Sequence, residues 1–117
     1  MELRTRNRIG NVTVMEVTGR LDAVTSPAFE KEVIAFFSNP AQGLVLDLGQ
    51  VDYISSAGLR VLLLGAKKAK ESTGGLVLFG LRNQVMEVFR ISGLTSLLAT
   101  LPNEAEALAA IERQTGT

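Results

Sequence analysis

Cysteine, histidine and tryptophan are missing from this sequence of 117 residues, and tyrosine occurs once. Without cysteine there are no disulfides, thiolate metal sites or cysteine nucleophiles. Without histidine the chain lacks the commonest metal ligand and the commonest general base at neutral pH. Lys plus Arg total 12, as do Asp plus Glu, so no net charge draws the chain to nucleic acid or to anionic lipid. These absences argue against most enzymes and predict neither a cofactor nor a metal site.

Long apolar segments are scarce as well. The apolar run at 61–66 is closed by Arg60 and Lys67, far below the ~20 apolar residues that cross a bilayer. The first six residues have no apolar segment after their charges, unlike a signal peptide. We therefore expect a cytoplasmic protein that binds no membrane. The length predicts one domain over 1–117, with a core over about 3–112 and a frayed tail at 113–117.

Predicted strands and helices alternate along the chain. The near-continuous apolar runs at 44–48 and 76–79 are typical of parallel strands covered on both faces. Alternation predicts further strands at 3–9 and 12–19, and another apolar run predicts one at 97–101. The pattern as a whole indicates an α/β domain with a mixed, largely parallel sheet of roughly four to five strands and about four helices.

Helix starts are predicted from capping residues. Ser26 is predicted to cap the first helix with Pro27 at its first position, after a loop at 19–24, and Asn39-Pro40 to end it. Asn83 and Asn103 are predicted to cap the third and fourth helices. The buried positions expected on the later helices are Val85, Met86, Phe89, Ile91, Leu108, Ala109 and Ile111.

The second helix is predicted over about 59–71. Leu64 falls outside its inner stripe, beside Arg60, and is a candidate for a partner surface. The predicted inner stripe consists of Leu59, Leu62, Leu63, Ala66 and Lys70.

The segment at 52–59 is the most informative for function, because it follows a predicted buried strand and leads into a helix. Residues at the carboxyl ends of parallel strands form the usual functional edge of an α/β sheet. Ser55 and Ser56 then have two interpretations. One serine is a helix N-cap, worth about 1 kcal/mol. Alternatively, one is a regulated hydroxyl, since a phosphate there would meet free N–H groups and the positive end of the helix dipole.

A catalytic serine is not supported by the residues around it. The nucleophile elbow requires Gly-x-Ser-x-Gly, whereas the order at 54–58 is Ile-Ser-Ser-Ala-Gly. There is no histidine to accept a proton, and neither a dinucleotide fingerprint nor a phosphate-binding loop is present. The chain is therefore predicted not to be an enzyme.

Three aspartates lie near the predicted sheet edge. Asp22 is either an Asx-turn residue or functional, and Asp52 is either a turn or cap residue or functional. Asp47 lies between two leucines of a buried strand, so its carboxylate needs a partner or a route to solvent. The spacing of the three carboxylates matches no metal-binding motif.

Five segments in this order resemble the bacterial anti-sigma factor antagonists, the single-domain form of the STAS fold. The resemblance covers about residues 3–112. The segments that carry it are TGRLD at 18–22, TSP at 25–27, LDL at 46–48, VDYISSAGLRVLL at 51–63 and VFRISGL at 88–94.

This resemblance implies a binding protein that works as a switch. In the family, the unphosphorylated antagonist binds an anti-sigma factor, itself a serine kinase that uses ATP and magnesium, and so frees a sigma factor. The kinase phosphorylates a serine at the start of the second helix, the complex dissociates, and a serine phosphatase resets the switch. Members of this class are commonly monomers when free, which is expected here.

The family's usual motif is Asp-Ser-(Ser/Thr/Ala)-Gly-Leu. Aligning Gly58-Leu59 implies Ser56 as the phosphate acceptor, with Ser55 as second choice and in the place of the usual Asp. An alternative is an unphosphorylated STAS scaffold subunit of a signalling or lipid-transport complex. The implied partner-binding residues are Asp22, Thr25, Asp52, Ser55, Ser56, Ala57, Gly58, Arg60 and Leu64.

Overall fold

Helices and strands alternate after an initial hairpin in the computed structural model, which describes residues 1–114. None of the described helices is long and apolar enough to cross a membrane. The elements are β1 (Glu2–Ile9), β2 (Val12–Leu21), α1 (Ser26–Phe36), β3 (Gly43–Ile54), α2 (Ser56–Lys70), β4 (Leu76–Phe79), α3 (Asn83–Ser92), a 3-10 turn (Leu94–Ser96), β5 (Ala99–Leu101) and α4 (Glu104–Gln114).

The strands form one sheet in the order β1-β2-β3-β4-β5. β1 and β2 are antiparallel and joined by a tight turn in which Gly10 has a φ of 62°. The other three pairings are parallel. This mixed, largely parallel sheet with its helices confirms the predicted fold class.

The sheet is covered on both faces, as the apolar strands predicted. Successive strand side chains point to opposite faces. Leu44 and Leu46 of β3 therefore pack in the larger core, which also takes in residues of α1, α2 and α3, whereas Val45 packs with α4. Leu78 and Phe79 of β4 divide between the two cores in the same way.

β2 and β3 are longer than predicted. The chain at 19–21 is strand rather than loop, because β2 pairs with β3 as far as Leu21 and Ile54. α1 begins at Ser26 with Thr25 at the N-cap, so the prediction of Ser26 as the cap was wrong. The helix ends at Phe36, short of the predicted stop at Asn39-Pro40.

α2 begins three residues before the predicted start at Leu59, and its buried face is rotated from the predicted stripe. The buried residues are Gly58, Val61, Leu62 and Gly65. The predicted Leu59, Leu63 and Ala66 are only half-buried, Lys70 is exposed, and Leu64 is half-buried rather than outside. The buried face is rotated because α2 lies close to β2 at Gly58, where a Cβ would be only 2.8 Å from the Leu21 carbonyl oxygen.

The last three elements agree with the prediction in type and differ at their ends. Arg82 rather than Asn83 takes the N-cap of α3, and Ile91 is 75% exposed rather than buried. β5 begins at Ala99 instead of Leu97, because the 3-10 turn intervenes.

The cap of α4 was predicted correctly, and its end was not. The Glu106 N–H donates to Asn103 Oδ1 at 3.0 Å. Ala109 is exposed and Ala110 is buried in its place. Arg113 and Gln114 are helical, so the predicted tail does not begin at 113, and 115–117 lie outside the described residues.

Candidate functional site

The carboxyl ends of β2 and β3 bring the start of α2 next to the loop at 22–25. The Ser55 N–H donates to the Leu21 carbonyl oxygen at 2.8 Å, directly after the paired residues Leu21 and Ile54. Asp22 follows Leu21, and Ser56 follows Ser55. The predicted grouping of the loop aspartate with the two serines therefore corresponds to one place on the sheet edge.

The N-terminus of α2 presents backbone donors that the fold does not use. The first helical hydrogen bond runs from the Leu59 N–H to the Ser55 carbonyl at 2.9 Å. Within residues 1–114, the N–H groups of Ser56, Ala57 and Gly58 have no acceptor. Such free amides, together with the positive end of the helix dipole, favour an anion at this position.

The two serines have different surroundings. Ser56 is exposed. Ser55 occupies the N-cap position in an extended conformation, but its Oγ is buried and has no hydrogen-bond partner among the described residues. Side-chain capping by a serine, one of the two interpretations of the sequence, is therefore not what the structure contains.

The loop at 22–25 is held by hydrogen bonds that involve Asp22 and Thr25. Asp22 Oδ1 accepts the N–H groups of Val24 at 3.0 Å and Thr25 at 3.1 Å, which is an Asx turn. The Thr25 hydroxyl donates to the Arg20 carbonyl at 2.7 Å and accepts the Asp22 N–H at 3.0 Å. Donation by the Thr25 N–H, more than by any other group, lowers the pKa of the Asp22 carboxyl, which is therefore negative at neutral pH.

Arg20 and Tyr53 form an exposed pair beside this loop that the sequence did not predict. The Arg20 guanidinium lies 4.1 Å from the centre of the Tyr53 ring, and its Nε is 3.4 Å from Asp22 Oδ2. The two residues are register partners in β2 and β3. Arginine and tyrosine are enriched among residues that dominate binding at protein interfaces.

Arg60 links α2 to α1 through an ion pair. Its Nη2 lies 2.9 Å from Glu30 Oε1, and its side chain is 67% exposed. Residues four apart lie on one helix face, so Ser56, Arg60 and Leu64 follow one another along α2. The sequence singled out Arg60 and Leu64 but not Glu30, because the pairing depends on how the two helices pack.

The remaining predicted site residues are placed differently. Asp52 is exposed near the end of β3, whereas Gly58 is buried against Leu21 and Ile54, where it has a packing role. Asp47 lies apart from the serines and has the partners that its burial required. Its Oδ2 is 2.6 Å from Arg6 Nη1, and its Oδ1 accepts the Gly49 N–H at 2.9 Å.

Arg6 is the centre of this second cluster of charges. Besides Asp47, it lies 3.4 Å from Glu16 and 2.5 Å from Glu104, so it connects β1 to β2 and to α4. Hydrogen bonding to Asp47 is the main reason that the pKa of Arg6 is raised. Over the part of the chain that is described, no group of three or more carboxylates is placed to hold a metal ion.

A family model described as Mlab, STAS domain, matches residues 5–100. The chain belongs to the STAS domain family. BtrV of Bordetella bronchiseptica, named as an anti-sigma factor antagonist, is 41% identical over 106 residues, which are 91% of this chain and 90% of that protein. An anti-sigma-B factor antagonist of Listeria monocytogenes is 31% identical over 90 residues, 77% of this STAS chain and 79% of the relative.

The fold agrees with that of a solved member. The crystal structure of an anti-sigma factor antagonist from Mycobacterium paratuberculosis superposes with a TM-score of 0.81 at 28% identity and covers 95% of each chain. The resemblance inferred from the five sequence segments is confirmed at the level of family and fold. The roles of individual residues stay predictions.

Proposed function

We propose that this STAS domain is an anti-sigma factor antagonist whose binding is switched off by phosphorylation of Ser56. The names of relatives that match over most of both chains support the first half of the proposal. The observation that carries the second half is an exposed serine at the free amides of α2, beside the loop of Asp22. The expected site of action is the cytoplasm.

In the unmodified state the binding surface is formed by the start of α2 and the adjoining loop. Asp22, Thr25 and Asp52 contribute polar contacts beside Ser55, Ser56 and Ala57. Arg60 and Leu64 extend the surface along α2. Gly58 acts indirectly, since its missing side chain lets α2 lie close to β2. The chain as a whole is neutral, so shape and local contacts rather than long-range attraction select the anti-sigma factor.

The phosphoryl transfer is carried out by the partner. An anti-sigma factor with serine kinase activity transfers the γ-phosphoryl group of ATP to Ser56 Oγ. The new O–P bond forms as the bond to ADP breaks, and the hydroxyl proton passes to a base of the kinase. A serine phosphatase reverses the modification by hydrolysis, which releases inorganic phosphate.

The added charge explains why the complex would dissociate. A phosphoserine brings about −1.5 to −2 charges at neutral pH. The amides of α2 accommodate that charge in the free protein. An apolar or acidic partner surface does not, because it would bury the charge without compensation. No large rearrangement of the fold is required.

The burial of Ser55 Oγ supports Ser56 as the acceptor rather than Ser55. A kinase could reach Ser55 only after its hydroxyl had moved out of this buried position. The test is incubation with ATP and an anti-sigma factor kinase of the same organism that binds the protein, followed by mass spectrometry. We expect one phosphate on Ser56 in the wild type and in Ser55→Ala, and none in Ser56→Ala. Label at another residue, or no label from a kinase that binds the protein, would refute the proposal.

An unphosphorylated scaffold is the second candidate, and one observation favours it. Ser55 stands where the family's phosphorylated motif has an aspartate, so the acceptor lacks an adjacent carboxylate. In that case Ser56→Ala and Ser56→Asp would both bind the partner as the wild type does. The first candidate predicts instead that Ser56→Asp releases it.

A further inference from the structure

Arg60 is well placed to meet a phosphate on Ser56. The two residues are four apart on α2, at which spacing Cβ atoms are ~5–6 Å apart on one helix face. A guanidinium has five N–H groups, and within residues 1–114 that of Arg60 uses only one of its two Nη atoms, on Glu30. The side chain is 67% exposed and thus free to turn along the helix.

Other cations are less well placed. Arg20 is stacked on Tyr53 and lies beside Asp22. The lysines of α2 are in its last turn, starting at Lys67, which is about 16 Å along the axis from Ser56 at 1.5 Å per residue. Among these cations, Arg60 is the one that lies a single helical turn from Ser56 on the same helix.

The present partner of Arg60 is the weaker of the two anions. Glu30 offers one negative charge from a different helix, and the contact is a single hydrogen bond. A phosphate carries nearly two charges and three acceptor oxygens, and arginine binds it in a bidentate manner. Because Ser56 and Arg60 belong to the same helix, their contact requires no movement of one helix against another.

We propose that Arg60 exchanges Glu30 for the phosphate when Ser56 is modified, an inference that rests on the proposed phosphorylation. The exchange holds the phosphate on α2 and leaves the Glu30 carboxylate on α1 without its cation. The modified protein then differs from the unmodified one on both helices. The switch extends across the surface on which the anti-sigma factor would bind.

The test is independent of any kinase, because phosphoserine is incorporated at position 56 during translation. The second pKa of the phosphate is followed by 31P NMR in the wild-type sequence, in Arg60→Gln and in Arg90→Gln. Arg90 is the matched control, since it is similarly exposed and paired with Glu87 on α3. We expect the phosphate pKa to be roughly 0.5 units or more higher in Arg60→Gln than in the other two proteins, since a nearby cation lowers it.

A phosphate pKa that is the same in all three proteins would overturn the exchange. The Arg60 Nε–H resonance gives a second measurement: we expect it to shift when phosphoserine replaces Ser56, and an unchanged resonance would also contradict the proposal. Failure of a kinase to label Ser56 would refute the proposed function and leave these NMR results unaffected. The two failures are therefore distinguishable.

Discussion

At the scale of single residues, the environment of Ser55 separates it from an ordinary helix cap. The cost of replacing a serine N-cap by alanine, typically about 1 kcal/mol, comes from a lost side-chain hydrogen bond. Ser55 Oγ makes no such bond among the described residues and is buried without a partner. An unpaired buried hydroxyl is itself unfavourable.

Ser55→Ala is therefore expected to lower the free energy of unfolding by less than about 0.5 kcal/mol or to raise it. Asn103→Ala on α4 is the matched control, because Asn103 Oδ1 accepts the Glu106 N–H at 3.0 Å. We expect it to cost about 1 kcal/mol in urea denaturation. Equal losses in the two variants would show that Ser55 caps α2 in solution.

Gly58 and Gly65, on the buried face of α2, allow a test of how closely this helix packs against its neighbours. A Cβ on Gly58 would lie 2.8 Å from the Leu21 carbonyl oxygen and 2.9 Å from Ile54 Cγ1. On Gly65 it would lie 3.2 Å from Leu76 Cδ2 and 3.4 Å from Val33 Cγ1, both at the ends of side chains.

Gly58→Ala is expected to destabilise the fold by about 1–3 kcal/mol, because a backbone carbonyl cannot move aside. Gly65→Ala is expected to lower the free energy of unfolding by less. Both substitutions gain roughly 0.5–1 kcal/mol in helix propensity, but at Gly65 the new methyl group contacts side-chain ends that can move. Urea denaturation of both variants gives the comparison. A Gly58→Ala variant as stable as Gly65→Ala would contradict the close approach of α2 to β2.

At the scale of elements, the loop between β2 and α1 depends on the charge of Asp22. The pKa of Asp22 is lowered in the folded state, first by the Thr25 N–H and then by the Val24 N–H. A lowered pKa means that the carboxylate stabilises the fold above its unfolded pKa of about 3.9. That stabilisation is lost as the pH falls through the folded-state pKa.

Asp22→Ala is therefore expected to be less stable than the wild type at pH 7, with a difference that shrinks below about pH 4. Asp52→Ala is the control, because the Asp52 side chain is exposed and makes no hydrogen bond within the described part of the chain. Thermal denaturation at several pH values measures both. A stability difference for Asp22→Ala that does not change with pH would rule out the role of its charge.

Prediction from sequence succeeded where a local pattern determines the element. The apolar run of β4 gave its limits, and Asn103 gave the cap of α4. Prediction failed where the limits or the buried face of an element depend on a contact with residues distant in sequence. β2 continues to Leu21 because β3 lies beside it, and the buried face of α2 is set by glycines that admit the neighbouring backbone.

The features of the candidate site also differ in whether the sequence predicts them. The predicted helix start points to Ser55 and Ser56, and the family motif selects Ser56 of the two. The stacking of Arg20 on Tyr53 needs the register of two parallel strands. The pairing of Arg60 with Glu30 needs the packing of α1 against α2. Neither the strand register nor the helix packing can be read from a local sequence pattern.

At the scale of the whole molecule, the 12 basic and 12 acidic residues balance, so a single phosphate has a large effect on the net charge. One phosphate changes the net charge from zero to about −2, and the change is concentrated at the end of α2. The sheet and its two cores lie behind this surface and need not move. In the proposed switch, regulation comes from a change in surface charge, and the fold serves as a rigid support.

The most direct test is the affinity for the anti-sigma factor that the proposed function requires, taken from the same organism. Isothermal titration calorimetry would compare the unmodified protein, Ser56→Ala and the protein with phosphoserine at position 56. We expect similar affinities for the first two proteins and a loss of affinity of about 100-fold or more with phosphoserine, equivalent to roughly 2.7 kcal/mol. Equal affinity of the modified and unmodified proteins would contradict the proposed switch.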